Sequence, residues 1–264
     1  MDYYSPITIK DFFNILYFLV ISAVAVLSYI QAKKTLFSPI KTEIFKLQIQ
    51  VFQEVLVFFN NHTIIDFFEE FGFYEILEIN SIEMQHAYIN TFFKDKIKIS
   101  DELKEKLETA SFGVITTGEF LELVTPGTEL LEAEIPKEND LDPAIKLAKW
   151  SEFKLEGVAY TRKFHEKSEE LSKLATSPIM PKELTDLLYK FIEIIHNNLL
   201  CIGKAISESA QEMPKKYSTP EAVIKFHPAW IWNIYNAKRE NTDKVVEEIL
   251  KFVNNYLKIN ELMK

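Results

Sequence analysis

Residues 12–30 read FFNILYFLVISAVAVLSYI. No charge interrupts the run, and Asn14 is its one strongly polar side chain. As a helix it rises about 28 Å, close to the roughly 30 Å hydrocarbon layer of a bilayer. Ser22 and Ser28 can bond back to a carbonyl one turn earlier, so they do not oppose burial in lipid. Tyr3, Tyr4, Tyr17 and Tyr29 are distributed around the run as interfacial aromatics are, with Tyr17 fitting least well. The expectation is a transmembrane helix over residues 12–32. A soluble helical scaffold, with 12–30 as a core helix, is the alternative.

The flanks give a direction. The start MDYYSPITIKD has no basic segment and VLSYIQAKK offers no small-x-small site, so a cleaved signal peptide is not expected. Lys33, Lys34, Lys41 and Lys46 follow the run, whereas Lys10 before it is offset by Asp2 and Asp11. The positive-inside tendency then places everything after Lys33 in the cytoplasm. The implied plan is a short extracytoplasmic tail (1–11), a transmembrane helix (12–32), a juxtamembrane hinge (33–41) and a cytoplasmic helical domain (42–264). The expected location is the cell membrane, crossed once.

Composition fits this partition. The chain is 47% hydrophobic and 26% charged with a net charge of −9, so outside the run it resembles an ordinary domain able to bury a core. Its single cysteine, Cys201, excludes an internal disulfide and sits in the apolar run NNLLCIGKA, where a small buried hydrophobe is expected. Nearly all cations are lysines, with arginine only at 162 and 239. Guanidinium is the fork that reads guanine edges and grips phosphates, so its scarcity beside an acidic balance argues against sequence-specific nucleic-acid binding.

Helix signals fill most of the chain. Pro39 disfavours helix at Ser38 and is expected to separate the first helix from the next. The following helix, with Thr42 as cap, carries Ile44, Leu47, Val51, Val55 and Phe58 on one stripe and is expected to pack in the core. Gly72 is expected to break HTIIDFFEEFGFYEILEI into two short helices, and Ser81 to cap another. A short helix is expected at SDELKEKLETA, and a short irregular or β segment around 110–136, where a seam at 110–141 is possible on the glycines and prolines there. Asp142 and Pro143 form a strong helix start, with the helix expected to run to about Ala175. Residues 182–212 are expected to be the central core helix, followed by a proline-bounded connector around Pro214, Pro220 and Pro228. Trp230 and Trp232 are expected to pack, and Thr242 to cap an amphipathic C-terminal helix.

Chemistry is suggested in one place. Glu83 and His86, and Glu193 and His196, form two Glu-x-x-His turns, the spacing with which ferritin-like bundles hold two metal ions. The second turn lies in an apolar run, where buried polar groups would need partners. A full site also needs a glutamate from each of two further helices, and Glu54 and Glu152 are unremarkable candidates. No phosphate loop, dinucleotide turn, nucleophile elbow or zincin turn is present. No catalytic, cofactor-binding or metal-binding residue is therefore assigned and no cofactor is expected.

The expected class is mainly α: one transmembrane helix followed by a cytoplasmic multi-helix bundle. Its expected role is binding, as a sensor, scaffold or membrane effector. The partners would be the lipid bilayer and either another protein or a second copy of the chain. A membrane-tethered di-metal carboxylate protein using Glu83, His86, Glu193 and His196 is the alternative. One membrane helix joined to a cytoplasmic helical domain resembles, in plan alone, bacterial signalling and phage-defence proteins.

Overall fold

The computed structural model describes residues 9–60, 64–100, 105, 109–116 and 142–257. The protein is mainly helical. It divides into two compact units, Met1–Glu54 and Val55–Lys264. Most of the short helix expected at SDELKEKLETA, residues 117–136 of the expected irregular or β segment, and His62 lie outside the described residues.

The first helix, α1, runs unbroken from Ile9 to Phe59 with Pro39 inside it. The break expected at Ser38 is therefore absent, and Thr42 is an interior residue rather than a cap. Proline removes one backbone donor, the bond to the carbonyl of Thr35, and the turns on either side hold the helix together. The Thr35 hydroxyl donates to the Gln31 carbonyl at 2.9 Å in the turn before it. Of the stripe expected to pack, Val55 and Phe58 are buried while Ile44 and Leu47 are exposed.

In the second unit α2 (Ile64–Glu70) and α3 (Phe73–Phe92) are separated by Gly72 at φ 69°, the left-handed conformation that suits glycine. The break is where the sequence placed it, but α3 continues through Asn80 and Ser81. Ser81 caps nothing: it is buried and its hydroxyl donates to the Leu77 carbonyl at 2.6 Å. Phenylalanines then fill the space around this corner. Phe59 and Phe67 meet Phe191 with ring centroids 5.0 and 5.3 Å apart, and Phe73 lies 5.8 Å from Phe164.

The helix that opens at Asp142 is shorter than its apolar spacing suggests. Asp142 accepts from the Ala144 N–H at 2.8 Å and Pro143 takes the first helical position, as expected. This helix, α4, ends at Ser151. Gly157–Tyr160 is a strand, β2, paired antiparallel with β1 (Gly113–Thr116) so that Val114 faces Ala159. A new helix, α5 (Arg162–Ala175), starts from Thr161, whose hydroxyl accepts from the Phe164 N–H at 3.3 Å. The single long helix expected from 143 to 175 is thus two helices and a strand, and the start of the segment expected to be irregular or β around 110–136 is a strand that finds its partner inside it.

Helix α6 (Lys182–Lys216) is the hub, packed against α3, α4, α5, β2 and the two last helices. Its buried residues follow one stripe, Leu184, Leu188, Phe191 and Ile195, and then widen from Asn198 to Met213. At Gly203 a side chain would meet the Val158 methyl at 2.9 Å, so glycine lets the strand lie close on the helix. Pro214 sits in the last turn rather than in a connector.

The chain closes with α7 (Pro220–Ile224), α8 (Ala229–Lys238) and α9 (Asp243–Tyr256). Trp232 packs as expected, stacked on Tyr74 with centroids 4.2 Å apart, and Trp230 carries Lys216 5.0 Å above its ring. Thr242 occupies the position before α9 but its hydroxyl does not cap. Asn241 does so, accepting from the Asp243 N–H at 2.7 Å, while Thr242 is buried. The apolar face of α9 is buried at Val245, Val246, Ile249 and Val253, while Tyr256 is exposed.

Candidate functional site

Two features stand out, one in each unit. In the first unit the large apolar side chains from Phe12 to Ile30 are all between 45 and 68% exposed. Within α1 the most apolar window is wholly uncovered, and the helix is long and apolar enough to cross a membrane. Asn14, Ser22 and Ser28 are exposed on the same helix, and Lys33, Lys34, Lys41 and Lys46 follow it without burial. Lys46 reaches Glu43 of the preceding turn at 2.8 Å.

In the second unit a groove of about 980 Å³ is lined by Glu83, Ala87 and Thr91 of α3, by the last turn of α4, and by the loop 152–157. Its position follows from the turn out of α4. Trp150 is buried and anchors that turn: its ring stacks on Phe153 at 4.6 Å and lies 5.0 Å from Tyr88. The loop is fixed at its far end by the Leu155 N–H, which donates to the Ser207 hydroxyl at 3.0 Å. That hydroxyl in turn donates to the Gly203 carbonyl.

The rim carries Lys149 and Lys154 together with Glu83, Glu152 and Glu156. Desolvation holds the Glu83 carboxyl above the usual carboxylate range. An acid whose folded-state pKa is raised binds protons more readily folded than unfolded, so its charge weakens the fold as pH rises through that window. Replacing Glu83 by glutamine is expected to change little below about pH 4 and to raise stability at neutral pH, as read by thermal melts at the two pH values. The Thr91 and Ser151 hydroxyls are committed to the Ala87 and Ala148 carbonyls of their own helices, at 2.8 and 2.5 Å. Such a groove can hold a polar, charge-bearing segment, and it aligns no hydroxyl with a base.

The Glu-x-x-His residues fare differently. Glu83 lines the groove, as does Glu152, whereas Glu193 and His196 lie exposed on α6 and do not line it. The burial expected for this second turn is corrected: Phe191 and Ile195 face the core, and Glu193 and His196 fall on the other side of the helix. His86 is half-buried on α3, and Glu54 is exposed on α1. Among the described residues no three His, Cys, Asp or Glu side chains are placed to hold a metal ion.

The remaining singular residues serve the fold. Cys201 is buried and free, and burial pushes its thiol up, partly opposed by Lys204 and Lys238. His227 Nδ1 accepts from the Ala229 N–H at 3.1 Å at the start of α8, and the His165 ring stacks on Phe112 at 4.6 Å. Both arginines lie over rings, Arg162 5.5 Å from Phe112 and Arg239 4.3 Å from Phe68.

The groove residues other than Glu83 and Glu152 went unread in the sequence. The available signal was Gly157 followed by Val-Ala-Tyr-Thr, a short strand pattern after a helix that had to stop. No protein-family model matches the chain, and no curated protein or solved structure gives a significant match to it.

Proposed function

We propose that the chain is a single-pass membrane protein whose N-terminal helix anchors a helical domain at the cytoplasmic face, and that the domain acts by binding. One observation carries the reading: nineteen consecutive residues, Phe12 to Ile30, expose their apolar side chains on every side of one helix. A protein groove covers one face of a helix, whereas lipid tails cover all of them. Left in water, an apolar surface of this extent would drive association. Lysines after the run and Asp11 before it give the orientation. Binding is favoured over catalysis by the groove, whose rim carries two lysines and three carboxylates and whose Thr91 and Ser151 hydroxyls are already bonded.

Extraction of isolated membranes with alkaline carbonate tests the anchor, and protease applied to vesicles of known sidedness tests the orientation. The protein is expected to stay in the pellet, with residues beyond Lys34 digested only when the cytoplasmic face is outward. Release into the supernatant would overturn the anchor, and digestion from the opposite face would overturn the orientation.

A further inference from the structure

Beyond the apolar run, α1 continues, and its side chains do not become uniformly polar. Phe37, Ile40, Ile44 and Leu47 are each between 44 and 54% exposed, and Val51 is half-buried. Their spacing is 3, 4, 3 and 4. That is the a/d pattern of a coiled coil, a repeat of 3.5 residues; of the other apolar side chains here, Phe45 falls at b and Ile49 at f, outside the seam. A run of only two heptads is short for a free coiled coil in water.

The positions around the seam agree with a partner that is the same helix, side by side and pointing the same way. With Phe37, Ile44 and Val51 at a, and Ile40 and Leu47 at d, the flanking g and e positions are Leu36, Glu43 and Gln50, and Lys41 and Gln48. In a parallel pair, g of one copy faces the next e of the other, which sets Glu43 against Gln48, with no like charges opposed. Pro39 falls at c, off the seam, so the backbone donor it lacks does not disturb the contact.

We infer that two copies of this chain pair in parallel through the stripe Phe37, Ile40, Ile44, Leu47 and Val51, just beyond the bilayer. The inference rests on the anchoring reading in one respect: two helices inserted in the same direction are already parallel and confined to a surface, and that confinement makes so short a seam sufficient. Lipid does not cover the stripe, because Lys33 and Lys34 mark where the hydrocarbon ends. Asn14 has no part in it. It lies more than twenty residues before the seam, inside the apolar run.

Because Cys201 is the sole cysteine and is buried, single cysteines can be introduced into full-length Cys201→Ala protein in its membranes and oxidised with copper phenanthroline. Disulfide-linked dimer is expected to be about fivefold or more abundant for Ile40→Cys, Ile44→Cys and Leu47→Cys than for Thr42→Cys and Lys46→Cys, following the 3.5-residue repeat. Asn14→Leu is expected to leave the dimer yield of Ile44→Cys unchanged. Equal yields at all positions, a maximum at Thr42 or Lys46, or adducts only to other proteins would overturn the pairing. Carbonate extraction of the same membranes keeps the two readings apart: a pelleted protein without periodic cross-links defeats the pairing alone, and an extracted protein defeats the anchor.

Discussion

Replacing Trp150 by phenylalanine is expected to destabilise the domain by about 2–3 kcal/mol, with most of that loss recovered when Pro214 is changed to alanine in the same chain. The reason is a single carbonyl. Pro214 lies inside the last turn of α6, and as a proline it has no N–H to offer the carbonyl four residues back, that of Ala210. Ala210 is fully buried, so water does not take the missing place. The indole Nε1 of Trp150 does, donating to the Ala210 carbonyl at 2.7 Å from a different helix. Phenylalanine keeps most of the ring contacts to Tyr88 and Phe153 but leaves that carbonyl without a donor. Alanine at 214 restores the backbone N–H and a better helix former. Alone, Pro214→Ala is therefore expected to be neutral or mildly stabilising. Equilibrium unfolding of the full-length protein, followed by far-ultraviolet circular dichroism for the wild type, both single variants and the double variant, gives the coupling directly. A coupling of about 1–2 kcal/mol is expected, and additive effects would show that the indole bond is not replacing the proline's missing one.

The same bond explains what the sequence did and did not convey. Pro214 was read as part of a connector because a proline inside a helix normally ends it, and the donor that allows it to stay comes from 64 residues earlier, which no local pattern registers. Pro39 misled in the same way. Features whose chemistry is local were legible: the Asp142 cap with Pro143 behind it, the left-handed turn at Gly72, and the buried stripe of α6. The strand Gly157–Tyr160 was not, because it is four residues long, its partner lies more than forty residues away, and its apolar residues also fit a helical spacing. Glu193 and His196 were read as buried because their neighbours are isoleucines, yet only Ile195 of these is in the core. An apolar run says that a helix is packed; the phase of its largest residues says which side. For the groove almost nothing was legible, since its walls meet only through the fold.

The apolar run and the seam beyond it obey one logic at two depths. From Phe12 to Ile30 apolar residues occupy every side of α1, a pattern matched by a solvent that surrounds the helix. From Phe37 to Val51 five apolar residues line one side, with Phe45 and Ile49 off it and Thr42, Glu43, Lys46 and Gln50 polar, a pattern matched by one neighbour rather than by a surrounding solvent. The change occurs at Lys33 and Lys34, where a helix leaving lipid would meet the headgroups.

The largest single loss is expected at Asn80, a residue that looks like a helix defect. It is fully buried in the middle of α3, and its side-chain amide makes two bonds to one residue of β2: Nδ2 donates to the Ala159 carbonyl at 2.8 Å and Oδ1 accepts from the Ala159 N–H at 2.9 Å. The second Nδ2 proton goes to the Ile76 carbonyl at 2.7 Å. Asn80 thus stands in for a missing third strand, satisfying the edge of β2 that β1 does not reach. Asn198 repeats the device on Glu240, accepting from its N–H at 2.7 Å and donating to its carbonyl at 3.1 Å. Leucine at position 80 would fit the helix better and still leave the Ala159 N–H and carbonyl buried without partners, an expected cost of about 2–6 kcal/mol at one to three per group. Aspartate separates the two bonds. The introduced carboxylate keeps the acceptor for the Ala159 N–H but places negative charge against the Ala159 carbonyl, so at pH 7 it should cost about as much as leucine. Burial and that carbonyl both favour the protonated form, so the folded-state pKa of the introduced group lies above its unfolded value of about 3.9. The folded state then binds the proton more tightly, and stability of Asn80→Asp is gained as pH falls through that window, while Asn80→Leu gains nothing. Unfolding measured at pH 7 and near pH 4 tests this: a deficit that is the same for both variants at both pH values would mean that Asn80 is tolerated in α3 and does not hold the strand.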